Sequence, residues 1–270
     1  GLSPDQPGVL MGRSAVGSEG WERVRTGRSG ADVRRSPDGG AYTKSGSGPL
    51  RDDLIEERER LEWLAGTDLP AADVLDWTDD GETATLTLRT VAGVPMSELS
   101  PSEAPSAVAT LARFLQRLHA VPRDSCPFER WLAVTVPLAR VRADQGLVDE
   151  DDFDHERAGR SADAALVDLL DRRPRAEELE VSDLVICHGD ACLPNFLVDP
   201  STLEVTGMID VHRLGIADRH LDLALATRSI SDTGLNPAYG PEAADALLAA
   251  YGLPADPWRL DFYRLLDEFF

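Results

Sequence analysis

The chain has 270 residues, 42% hydrophobic and 28% charged, with 48 acidic against 27 basic side chains and a formal charge of −21. That is enough apolar material for one large domain or two lobes, and it disfavours nucleic acid and anionic membrane as partners, because like charges repel. A negative field of this size instead favours a small cationic partner. No apolar run reaches the roughly 20 residues of a membrane span, and no charged-then-apolar leader is present. The three cysteines, Cys126, Cys187 and Cys192, have no framework spacing, so a reducing, cytoplasmic setting is expected.

Residues 1–19, rich in Gly, Ser and Pro, read as a loose tail. From Trp21 the text becomes short alternating segments broken by TGRSG and SPDGG, which predicts strand, turn, strand, hairpin turn and strand. LRDDLIEERERLEWLAG places Leu54, Leu61 and Leu64 at helical spacing, and TATLTLRTV alternates as a strand up to AGVP. Beyond it the pattern turns mainly helical. APSAVATLARFLQRLHAV is amphipathic through Val108, Leu111, Leu115 and Leu118, and AADALLAAYG and WRLDFYRLLDEFF are two further helices. VSDLVICHGD and LEVTGMIDV are short apolar runs expected to form a strand pair on the helical part. The expected class is α+β and bilobal: a small antiparallel β lobe at 20–90 and a larger, mainly helical lobe at 91–270.

The densest chemistry lies in ICHGDACLPNFLVDP and in the following MIDV. Asp190, Asn195 and Asp210 are carboxylate and amide groups near the ends of short strands, and such hard oxygens suit Mg²⁺. Phosphoryl transfer needs that metal, an acidic residue beside the attacking hydroxyl and a cation on the nucleotide phosphates. Lys44, on the third strand, and Glu57, on the next helix, form a candidate ion pair. TGRSGA offers backbone N–H groups and the Ser29 hydroxyl to phosphates, and Tyr42 offers a ring to a purine. None of these features is specific alone. Their order is more so: Gly turn, strand Lys, helix Glu, H-G-D-x-x-x-x-N, then I-D. It matches the protein-kinase layout, with H-G-D in place of H-R-D and I-D in place of the D-F-G aspartate.

From Trp21 to Phe270 the sequence resembles the aminoglycoside phosphotransferases, and most of all the 3′-phosphotransferases, the kanamycin and neomycin kinases. HGDACLPN with IDxxRLGxADR carries the resemblance, and the ending LLDEFF points to the 3′ subgroup. The resemblance implies a protein-kinase-like fold, ATP or GTP with Mg²⁺, and a cationic aminoglycoside as substrate, acted on by a monomer or homodimer. Asp190 would be the catalytic aspartate, and Asn195 and Asp210 the metal ligands. Lys44, steadied by Glu57, would hold the phosphates, Ser29 and Gly30 would cover them, Tyr42 would stack on adenine, and Thr90 and Val91 would form the adenine hinge. Asp222 would buttress the catalytic loop. Asp154, Glu156, Arg213, Asp232, Asp267, Glu268 and Phe270 would line the drug site.

One position departs most from that pattern. The family's I-D-x-G-R reads I-D-V-H-R here, with His212 where glycine is expected. A side chain there is expected to resist backbone angles that glycine allows, to crowd the γ-phosphate or to ligate metal, and so to lower activity. Arg34 and Thr43 depart more mildly from apolar strand positions. Three other readings follow. One is a streptomycin 3″-phosphotransferase, and one is a protein that binds nucleotide or drug with little turnover. The third is a metal-dependent hydrolase using His188, Asp190, Asp210 and His212. His119 and His188 are otherwise read as packed or loop-forming residues.

Overall fold

The alternating segments of the first ninety residues pair into one antiparallel sheet. The computed structural model describes residues 20–24, 30–254 and 256–270; the expected tail at 1–19 and the Ser29 position lie outside them. Strands β1 (Glu22–Arg23), β2 (Asp32–Arg35), β3 (Ala41–Ser47), β4 (Val74–Asp79) and β5 (Thr83–Arg89) run in the order β1-β2-β3-β5-β4. The β2–β3 turn is made by its own side chains: the Asp38 carboxylate accepts from the Ser36 hydroxyl at 2.6 Å and from the Gly40 N–H at 2.9 Å. β4 was not anticipated, because the acidic run DWTDDGE hides its alternation. In the fold Asp80 caps that turn, accepting from the N–H groups of Glu82 and Thr83 at 2.9 and 2.8 Å.

Helix α1 (Pro49–Leu64) begins with proline in its first turn and buries Leu54, Leu61 and Leu64 against β3 and β5. Glu57 lies on the same helical stripe, three residues past Leu54, and so faces the sheet. That spacing carries a carboxylate into an otherwise apolar face.

After Arg89 the chain crosses to β6 (Val94–Pro95), which pairs with β8 (Phe196–Val198), and β8 pairs with β9 (Val205–Met208). β7 (Leu184–Cys187) pairs instead with β10 (Gly215–Asp218). The two apolar runs therefore do not pair with each other as expected; each takes a partner from a run too short to stand out in the sequence. Around them pack α2 (Ala104–His119), α3 (Leu132–Asp144), α4 (Ala162–Glu180), α5 (His220–Ser231), α6 (Pro241–Tyr251) and α7 (Pro257–Asp267). Val108, Leu111, Leu115 and Leu118 are all buried, as the periodicity of α2 predicts. One continuous apolar core runs from Leu54 to Phe269. Among the described residues no helix is long and apolar enough to cross a membrane.

Candidate active site

Lys44 and Tyr42 lie two apart on β3 and so share a face. The Lys44 ammonium sits 2.8 Å from Glu57 Oε1 on α1 and 2.5 Å from Asp210 Oδ1, on the segment after β9. Burial opposes its charge, but the Glu57 and Asp210 carboxylates outweigh burial and hold the ammonium above its ordinary range. Asp210 stays below the usual carboxylate range although burial works against it, because Lys44 lies beside it. One lysine thus ties strand, helix and metal-ligand candidate together. Lys44 is also the only lysine in the chain, every other basic side chain being arginine or histidine. That signal was available in the sequence and was not used there.

Asp210 is held at φ 55°, ψ 51°, in the left-handed region. Apart from Leu203 it is the one non-glycine residue with positive φ among the described residues, so backbone strain sits here and not at His212. The expected backbone conflict at His212 is therefore absent. What remains is its imidazole, half-buried beside Lys44 and Asp210 and kept neutral, its pKa pushed down to about 3 by burial and the Arg213 charge.

The loop after β7 carries Asp190. Its Oδ2 accepts from Asn195 Nδ2 at 3.0 Å and its Oδ1 from the Cys192 thiol at 3.2 Å. The Asn195 carbonyl in turn accepts from the N–H of Ile209 at 2.9 Å, which clips the loop to the residue before Asp210. With Asn195 Nδ2 spent on Asp190 and Asp210 Oδ1 on Lys44, the free oxygens of this pair are Asn195 Oδ1 and Asp210 Oδ2 among the described residues. Two hard oxygens of that kind fit Mg²⁺. Gly189 sits at φ 84°, and a Cβ there would lie 2.3 Å from the Arg213 carbonyl oxygen; this close approach is why the triplet reads H-G-D. His188 spends Nε2 on the Ile209 carbonyl at 3.0 Å and Nδ1 on the Asp190 N–H at 3.2 Å. Neither ring nitrogen is left for a metal, which removes the four-ligand hydrolase reading.

At the crossing between the two parts, Thr90 gives its N–H to the Gly40 carbonyl and its hydroxyl to the Gly39 carbonyl, at 3.0 and 2.7 Å. Its N–H is thus unavailable to a base, while the Val91 N–H has no partner among the described residues. Gly30 lies before β2, with φ 70°.

Of the drug-site candidates, Asp154, Asp267 and Glu268 gather around the end of α7, but not as free carboxylates. Asp267 gives one oxygen to Arg213 at 2.7 Å and the other to Arg228. Asp154 pairs with Arg157 at 2.8 Å, and its N–H goes to Glu268 Oε1 at 3.0 Å. Burial pushes the Glu268 carboxyl up to about 8. The Phe270 ring faces the guanidinium groups of Arg130, Arg142 and Arg213 at 5.6–5.8 Å. Glu156 and Asp232 are the exposed acids; Asp232 closes α5 and accepts from the N–H groups of Gly234 and Leu235. The sequence reading missed Arg157 and Arg228, whose local context does not set them apart from other arginines.

A strand lysine paired with a helix glutamate, above a loop bearing H-G-D-x-x-x-x-N, on a five-stranded sheet and a helical body, defines a protein-kinase-like phosphotransferase. The profile described as the phosphotransferase enzyme family matches residues 21–263. An aminoglycoside 3′-phosphotransferase of Streptomyces fradiae is 40% identical over 93% of this chain and 95% of its own length. A streptomycin 3″-kinase of Streptomyces griseus is 38% identical over 97% of both. The aminoglycoside phosphotransferase APH(3″)-Id of Streptomyces rimosus superposes with a TM-score of 0.85 at 36% identity, covering 94% of this chain and 93% of that one. The same enzyme in complex with ADP and streptomycin superposes at 0.83. The chain belongs to the aminoglycoside phosphotransferase family.

Proposed function

We propose that the chain transfers the γ-phosphate of ATP or GTP, with Mg²⁺, to the 3′-hydroxyl of a 2-deoxystreptamine aminoglycoside such as kanamycin or neomycin, and so confers antibiotic resistance in the cytoplasm. The observation that carries a kinase reading is the Lys44 ammonium bridging Glu57 and Asp210. Identity to named 3′-phosphotransferases supports the acceptor.

Residues 20–90 would hold the nucleotide and residues 91–270 the drug and the reacting groups. Lys44 holds the phosphates, oriented by Glu57, while Tyr42 and Val91 hold the base. Asp190 orients the acceptor hydroxyl and takes its proton as the new P–O bond forms and the bond from the γ-phosphorus to the β,γ-bridging oxygen breaks, releasing the nucleoside diphosphate. Asn195 and Asp210 hold Mg²⁺, which supplies neutralisation of the phosphate charge when bound. On the drug side Glu156 and Asp232 offer open carboxylates to ammonium groups, each charge-assisted hydrogen bond contributing roughly 1.5–3 kcal/mol. Arg157, Arg213 and Arg228 set the other acids in place.

The likeness to streptomycin kinases favours one second reading, transfer to the 3″-hydroxyl of streptomycin. A coupled ADP-release assay with Mg-ATP and kanamycin, streptomycin or no acceptor separates the two. Kanamycin-dependent release, with mass spectrometry placing the phosphate at the 3′ position, is the expected result. Release with streptomycin alone replaces the proposal with the second reading, and release with neither overturns both.

A further inference from the structure

We propose that His119 is a positioning residue for the transfer step, holding through Asp222 the backbone on which Asp190 stands. Asp222, in the first turn of α5 and fully buried, accepts three hydrogen bonds. Two come from the loop itself: the N–H of His188 at 2.8 Å and the N–H of Gly189 at 3.0 Å. The third joins Asp222 Oδ2 to His119 Nε2, at the end of α2, at 3.0 Å.

Asp222 remains ionised although burial opposes it, because His119 and the loop N–H groups favour the charge. An ionised carboxylate only accepts, so Nε2 of His119 carries the hydrogen, and in the imidazole tautomer that this sets Nδ1 is the acceptor. The group opposite Nδ1 is the Tyr251 hydroxyl on α6, at 2.7 Å, which donates to that tautomer. The chain of bonds runs Tyr251 to His119 to Asp222 to the two N–H groups directly before Asp190. Its order is that of a hydroxyl–imidazole–carboxylate triad. All three side chains are nonetheless shut away from solvent, at 6%, 7% and 0% exposure, so no substrate reaches them. The Cys187 thiol nearby, which would complete a metal-binding group with His119 and Asp222, is directed at the carbonyls of Ala217 and Asp218.

A histidine that merely filled space would be replaceable by an apolar residue of similar size. Here its removal leaves Asp222 one donor short inside a dry core, where the remaining partners are the loop amides. The carboxylate then shifts, and Asp190 shifts with it. Misplacing a reacting group by about 1 Å costs up to ~100-fold in rate.

This inference rests on the proposed kinase activity, and amide exchange tests it independently of that activity. His119→Leu is expected to lower kcat about 10-fold or more while KM for Mg-ATP and for drug stays within about twofold. His119→Gln, which restores a donor toward Asp222, should recover most of the loss. The His119→Leu effect should largely vanish in an Asp222→Asn background. The Gly189 amide should exchange with deuterium faster in His119→Leu than in wild type. Equal kcat in the Leu and Gln variants, a loss expressed in KM, or full additivity with Asp222→Asn overturns the proposal. If His119→Leu does not fold, Tyr251→Phe decides: a lower kcat with faster Gly189 exchange supports the link, and wild-type values for both overturn it. If the wild-type protein phosphorylates no aminoglycoside, the functional reading fails, and Gly189 exchange alone decides whether His119 holds the loop.

Discussion

Three side chains of the site, Asp190, Lys44 and His212, make separable predictions. Asp190→Ala removes the group proposed to take the acceptor proton, and transfer should fall by roughly 10²- to 10⁴-fold. Drug binding measured by calorimetry should persist, and retained turnover would remove Asp190 from its role. Because the chain has one lysine, an amine-reactive adenosine analogue should label Lys44 and, at most, the terminal amine. Peptide mapping should show ATP protecting Lys44; labelling that ATP leaves unchanged would place nucleotide elsewhere. His212 carries no backbone strain, so its effect must come from the imidazole beside Lys44 and Asp210. His212→Gly should raise kcat/KM, and an unchanged value would show that the site accommodates the ring. Lys44, Glu57, Asp190 and Asp210 were legible as a set because their order along the chain is itself the signal. Arg157 and Arg228 were not, because an arginine that neutralises a buried carboxylate looks, in sequence, like an arginine facing water.

Among the elements, the loop after β7 depends on one glycine. A Cβ at Gly189 would meet the Arg213 carbonyl, and φ there is 84°. Gly189→Ala should therefore cost about 1–3 kcal/mol from backbone conformation alone, with added loss from the clash. Thermal unfolding should show a lowered midpoint, and kinase activity should fall with it; a wild-type midpoint would mean that the loop relaxes freely. The helices differ in how visible they were. α2 has a clear stripe, while α3 and α4 contain Pro137 and Pro174. Their amphipathic signal is weak because apolar Leu138, Val141 and Val167 face solvent. β8 and β10 are three and four residues long, too short for alternation to register.

For the whole molecule, buried ionisable groups link stability to pH. Glu180, at the end of α4, accepts from the N–H of Leu132 at 3.1 Å, and burial pushes its carboxyl up to about 7. An ordinary unfolded glutamate titrates near ~4.3. The folded state thus holds this proton longer than the unfolded state does. The stabilisation is fully present below the unfolded value and is lost as pH rises through the folded one. Glu180→Gln cannot titrate and keeps an acceptor for Leu132. Its stability relative to wild type should improve across that window and level off above it, as read by urea unfolding at several pH values. A difference independent of pH would contradict this. The acidic surface belongs to the same scale: Asp154 and Asp267 of the proposed drug site are already paired with arginine, so on that proposal the net charge would draw a cation in while few open acids would hold it.

The sequence by itself determined the α+β division, the amphipathic faces of α1 and α2, and the ordered set of Lys44, Glu57, Asp190, Asn195 and Asp210. These are local or ordinal properties, since apolar spacing and motif order survive without coordinates. Only the tertiary structure decided that β7 pairs with β10 and β9 with β8, that Asp210 rather than His212 bears the strained backbone, and that Asp267 is enclosed by two arginines. It also decided that His119 reaches Asp222 across 103 positions of chain. Pairings of that kind depend on which buried polar groups find partners once the core closes, and no local pattern in the chain records them.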